Sequence, residues 1–118
     1  MITIYHNPKC RKSREGLQYL ENKGVEFTVV EYLMTPLSRE ELKILLVKLN
    51  KRPIEIVRTS EDEFKAKLKG KNFTDEEWIT ILLENPKLIQ RPIVVCNTKA
   101  VLAHPAEEID RLLGNSGE

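Results

Sequence analysis

A chain of 118 residues with 41% hydrophobic and 31% charged content has the make-up of one globular domain, long enough to bury about two-thirds of its unfolded surface. A net charge of +1 gives no electrostatic reason to expect nucleic acid or an anionic membrane as partner. No apolar run approaches a membrane span, the N-terminus lacks the apolar core of a signal peptide, and two cysteines make no disulfide framework, so a reducing, cytoplasmic setting is expected.

The chain opens with a short β-rich segment, residues 1–5, and a turn-like His6-Asn7-Pro8. Residues 11–20 then read as an amphipathic helix with Leu17 and Leu20 on one face, ended by Gly24. Residues 26–32 have the β-branched and aromatic content of a strand. Two strands joined through one helix predict parallel pairing and a right-handed crossover. Ser38 with Glu41, Ser60 with Glu63 and Thr74 with Glu77 each carry the capping-box spacing. Residues 37–84 are therefore expected to form a mostly helical insert, stopped at Asn85-Pro86. Trp78, with Ile81 and Leu82 at helical spacing, belongs to its core.

Strand signals return at 92–96 and 99–102, separated by Asn97-Thr98, a two-residue turn that makes the pair antiparallel. Cys96 ends an apolar β run and reads as core. A last helix over residues 105–113 starts on a favourable proline and presents Ile109, Leu112 and Leu113. The order β-α-β, helical insert, β-β-α predicts an α/β chain with a thioredoxin-like mixed sheet, one domain over residues 1–118.

Chemistry concentrates at Cys10. A cysteine between a turn and a helix start lies beside unpaired backbone N–H groups and the positive end of the helix dipole. Lys9, Arg11, Lys12 and Arg14 add cations around it. Such settings lower a thiol from about 8.5 to between about 3.5 and 7.5, which predicts a reactive thiolate within an anion-binding site. Most lone cysteines are instead small core residues. Cys10-x-x-Ser13 holds one thiol, so dithiol exchange within the motif is excluded. No cysteine–histidine cluster has zinc spacing and no glycine-rich phosphate loop occurs, so neither a metal nor a bound cofactor is expected.

Three stretches carry a resemblance: Tyr5-His6-Asn7-Pro8-Lys9-Cys10-Arg11-Lys12-Ser13-Arg14, then Asn85-Pro86-Lys87-Leu88-Ile89-Gln90-Arg91-Pro92-Ile93-Val94-Val95, then His104-Pro105-Ala106-Glu107. In this order and spacing the chain resembles, over essentially its whole length, the glutaredoxin-coupled arsenate reductase family. The resemblance implies an enzyme, and a monomer is expected. In it the Cys10 thiolate attacks arsenate or a similar oxyanion, with glutathione as co-substrate and glutaredoxin as partner. Position by position, Cys10 matches the nucleophile, Arg58 and Arg91 match two oxyanion-binding arginines, and His6 and Ser13 match supporting residues. The family's third arginine would precede Pro105, where this chain has His104.

On their own, Arg58 and Arg91 read as surface charges, as most arginines are. Arginine does suit a tetrahedral oxyanion, because its planar fork donates two parallel hydrogen bonds. Arg91 also precedes a proline at a strand entry, where a cis bond would hold it against the cysteine loop. His6 is open between a satisfied turn residue and a group that donates to, or adds charge beside, the thiolate. Two other functions fit the fold. One is a redox-type transcriptional regulator that binds RNA polymerase, against which Ser13 counts because no Cys-x-x-Cys disulfide can form. The other is a general glutathione-dependent thiol transferase.

Overall fold

The computed structural model describes residues 1–113. They divide into two compact units, residues 1–35 with 91–113, and Pro36–Gln90.

The first unit holds a four-stranded sheet of β1 (Ile2–Tyr5), β2 (Thr28–Val30), β3 (Ile93–Cys96) and β4 (Lys99–Leu102), in the order β2-β1-β3-β4. β1 runs parallel to β2 and antiparallel to β3, and β3 pairs antiparallel with β4. The β1–β2 connection is α1 (Arg11–Lys23), closed by Gly24 at φ 72°, a left-handed cap that glycine adopts without a Cβ penalty. Asn97, at φ 57°, forms the turn between β3 and β4. This is the thioredoxin-like mixed sheet that the element order predicts. Its core gathers Ile2 and Ile4 of β1, Leu20 of α1, Val94 of β3, then Ala103, Ile109 and Leu112. Full burial of each aliphatic side chain contributes about 1.5–3 kcal/mol. Leu17 and Cys96 pack at the edge of that core.

Three elements depart from expectation. The second strand shrinks to Thr28–Val30, mostly exposed, because it lies at the sheet edge. The last helix begins as a 3₁₀ turn, Ala106–Ile109, and becomes α only at α5 (Asp110–Leu113). Ser60 caps nothing: the short helix α3 (Asp62–Lys67) starts from Glu61 without a side-chain cap.

The second unit contains, with α3, the helices α2 (Arg39–Leu49) and α4 (Asp75–Glu84) and the 3₁₀ turns Pro53–Ile56 and Pro86–Leu88. Ser38–Glu41 and Thr74–Glu77 are complete capping boxes. Leu42, Leu45, Leu46 and Leu49 of α2 are buried, as are Trp78, Ile79 and Leu82 of α4. Phe73 meets Trp78 edge to face at 5.0 Å. Among the described residues no helix is long and apolar enough to cross a membrane.

Candidate active site

β1 delivers the chain into a turn that its own polar groups hold. The Asn7 carbonyl accepts the Cys10 N–H at 3.0 Å, and Asn7 Oδ1 accepts the Lys9 N–H at 3.0 Å. Cys10 then takes extended backbone angles as the N-cap of α1, its carbonyl accepting the Arg14 N–H at 3.0 Å. That geometry directs the sulfur toward the N–H groups of the first turn.

Beneath the loop lies a buried polar cluster. Ser13 is fully buried, and its Oγ accepts the Asn7 N–H at 2.9 Å while lying 2.7 Å from His6 Nδ1. With Nδ1 unprotonated, the Ser13 hydroxyl donates to it while accepting the Asn7 N–H. Burial holds His6 below its ordinary pKa, over the opposing influences of Glu31 and the Ser13 backbone; Arg14 adds to the lowering. His6 is thus a mostly neutral ring at pH 7, set against Ser13 beneath the loop.

The register brings in the cation. Tyr5 of β1 pairs with Ile93 of β3, so the residues entering β3 stand beside the residues leaving β1. Pro92 is fully buried after a cis Arg91–Pro92 bond, and the Arg91 side chain hydrogen-bonds to the Cys10 sulfur. Burial pushes the thiol up, but the Ser13 N–H, the Arg91 hydrogen bond and charge, and the Lys12 N–H outweigh it, and the net shift is downward. The sulfur makes no full capping hydrogen bond, so the two N–H groups act on it as dipoles. Lys9, Arg11, Lys12 and Arg14 are all exposed, and their side-chain charges are not what lowers this thiol. The thiol is lowered as expected, and a residue 81 positions away supplies the charge that helps to lower it.

Gly16 was not singled out by the sequence reading. A Cβ there would lie 2.6 Å from Pro92 Cγ, closer than carbon atoms approach one another, so the missing side chain is what lets α1 press onto the residue that follows Arg91. A lone glycine inside a helical pattern, costing about 1 kcal/mol against alanine, was the available signal.

The remaining candidates are Arg58 and His104. Arg58, in the second unit, pairs with Glu61 at 3.2 Å, both side chains mostly buried, and its N–H donates to the Leu88 carbonyl. His104 is exposed and precedes a second cis proline, Pro105. It lines an open groove of about 400 Å³ with Glu15, Gln18, Tyr19, Asn22 and Glu107, to which neither Cys10 nor Arg91 contributes. Among the described residues no group of three side chains could hold a metal ion.

A cysteine at a helix start, with an arginine brought to its sulfur from the entry of a neighbouring strand, agrees with what the family comparison finds. The model described as "ArsC family" matches residues 5–112. The chain belongs to the ArsC family. It is 42% identical to the uncharacterized Escherichia coli K12 protein YfgD, over 96% of this chain and 97% of that protein. It is 40% identical to an Escherichia coli arsenate reductase, over 92% of this chain and 77% of that enzyme. A solved arsenate reductase from Vibrio cholerae superimposes with a TM-score of 0.87 at 42% identity, covering 94% of this chain and 96% of that one. The core that this ArsC-family chain presents is a single thiol with Arg91 and no second sulfur in the motif.

Proposed function

We propose that this protein is an arsenate reductase that takes its reducing equivalents from glutathione and glutaredoxin in the cytoplasm. The observation that carries the reading is the Arg91 guanidinium at the Cys10 sulfur, at the start of α1. An anion arriving there meets a nucleophile and a positive charge together. Arg58 joins Arg91 as an oxyanion ligand in this reading, on the strength of the family resemblance.

The Cys10 thiolate attacks arsenic and an arsenate oxygen leaves as water after protonation, giving a covalent S–As(V) adduct. Helix N–H groups and guanidinium stabilise the developing charge, at about 2.7–4 kcal/mol per donor. A glutathione thiolate then attacks the Cys10 sulfur. An S–S bond forms, the S–As bond breaks with its electron pair going to arsenic, and arsenite departs as As(III). Glutaredoxin removes the glutathionyl group and restores Cys10. Ser13, an oxygen already engaged with His6 and Asn7, supplies no thiol to short-circuit that sequence. His104 stands where the third arginine is implied, so its shorter ring, which lacks the guanidinium fork, weakens the clamp. His104→Arg then tightens arsenate binding by about 1–2 kcal/mol.

The test is a coupled assay of arsenate reduction with glutathione and glutaredoxin, in wild type and Cys10→Ser. Arsenate-dependent thiol consumption that vanishes in the variant supports the reading. Turnover of glutathione mixed disulfides with none that depends on arsenate would make the protein a thiol transferase.

A further inference from the structure

Four exposed cations flank the thiol in the sequence, and none of their side chains is among the causes that lower it. Lys9, Arg11, Lys12 and Arg14 follow one another about Cys10 and all face solvent. The stretch from residue 5 to residue 14 contains no Asp or Glu. The nearby carboxylates are Glu15 and Glu31. Glu15 pairs with Arg11 at 3.4 Å in a largely exposed contact, and Glu31 acts on His6. Arg14 reaches back to the Pro8 carbonyl at 3.0 Å and keeps its charge at the loop. The loop and first helical turn that carry the half-buried sulfur are therefore strongly positive, in a chain whose total charge is only +1.

Arg91 and the first-turn N–H groups already stabilise the thiolate, so the outward charges meet whatever approaches from solvent. Once Cys10 carries an oxyanion, the next reactant must be a thiolate, and two anions repel. We propose that Lys9, Arg11, Lys12 and Arg14 form an electrostatic collar that selects a small, anionic thiol of the glutathione class to attack the Cys10 sulfur. This rests on the reading that Cys10 forms an adduct resolved by an external thiol. A focused field of this kind changes encounter rates by about 10- to 1,000-fold and is screened within a Debye length of about 10 Å at 0.1 M salt.

The experiment needs no arsenate. In a Cys96→Ser background, Cys10 is converted to its mixed disulfide with 2-thiopyridine, a neutral group. Glutathione, 2-mercaptoethanol or cysteamine is then added at matched thiolate concentration. The thiolate attacks the Cys10 sulfur, an S–S bond forms, and the chromophoric thione leaves with the electron pair of the old S–S bond. The collar predicts glutathione fastest and cysteamine slowest, differing by about 10-fold or more at low ionic strength beyond the ratio for a thiopyridyl-cysteine peptide. The spread collapses at about 0.5 M salt, where screening is short-ranged. Lys9→Glu/Lys12→Glu should abolish or invert the order while circular dichroism stays native. Equal rates for the three thiols, or a ranking that the double variant leaves intact, would overturn the proposal. Charge selectivity without arsenate reduction would sink only the arsenate reading. Arsenate reduction without charge selectivity would sink only the collar.

Discussion

Arg91 and His104 occupy the same local position, each preceding a cis proline at one end of the sheet, yet one touches the nucleophile and the other lines a groove along α1. The strand order explains the difference. β3 is β1's direct neighbour, so the step into β3 falls beside the Cys10 loop. β4 lies one strand further out, and the Ala103 N–H pairs with the Pro92 carbonyl at 2.8 Å. His104 is therefore displaced laterally by roughly one strand spacing, about 4.8 Å. The chemistry of an X-Pro step here is decided by which strand it enters or leaves.

Arg91→Ala tests that difference most severely. The rate of Cys10 adduct formation should fall by about 10²–10³, as for loss of one oxyanion donor, and the thiol should titrate at higher pH. Alkylation rate against pH, read beside Arg91→Lys, separates charge from fork geometry. An unchanged titration in Arg91→Ala would dissolve the contrast with His104.

Ser13→Ala probes the frame instead of the charge. It leaves His6 Nδ1 and the Asn7 N–H without their buried partner, at about 1–3 kcal/mol. The Ser13 backbone N–H remains, so denaturant midpoints should drop while the thiol titration holds. Acid sharpens the same point. Burial depresses His6, so below about 6.5 the unfolded chain takes up a proton that the folded chain refuses. Stability must therefore decline as pH falls from 6.5 toward the folded value, and His6→Gln should flatten that slope. A slope identical to wild type would remove His6 from the account.

Gly16→Val places a branched side chain against Pro92, where even a Cβ is too close. Overpacking there should cost about 2 kcal/mol and loosen Arg91 from the sulfur, raising the thiol pKa. A stable variant with normal titration would show that α1 and the β3 entry need not touch so closely.

The smallest effect is expected at the other proline. His104 is exposed, and Arg91 and the first-turn N–H groups lower the Cys10 thiol without it. His104→Ala should leave the pH profile of Cys10 alkylation superimposable on wild type, and a displaced profile would place His104 at the sulfur after all.

Much of this was local and therefore legible in one dimension. The Ser38 and Thr74 caps, the Gly24 stop, the Asn97 turn and the placing of Cys10 at a helix start depend on residues a few positions apart. Each can be read from spacing and backbone preference. Edges were less legible: the second strand shortened and Ser60 lost its cap, because exposure and tertiary packing settle such ends. The charge on the thiol was not local at all. Sequence proximity pointed to Lys9, Arg11, Lys12 and Arg14, yet those side chains face water, and the side-chain cation that lowers the thiol is Arg91. Arg91 arrives through the Tyr5–Ile93 register, and Gly16 admits Pro92. Strand pairing and close packing are properties of three-dimensional neighbours, so only the folded chain could assign the cation to the sulfur and show that His6 serves Ser13.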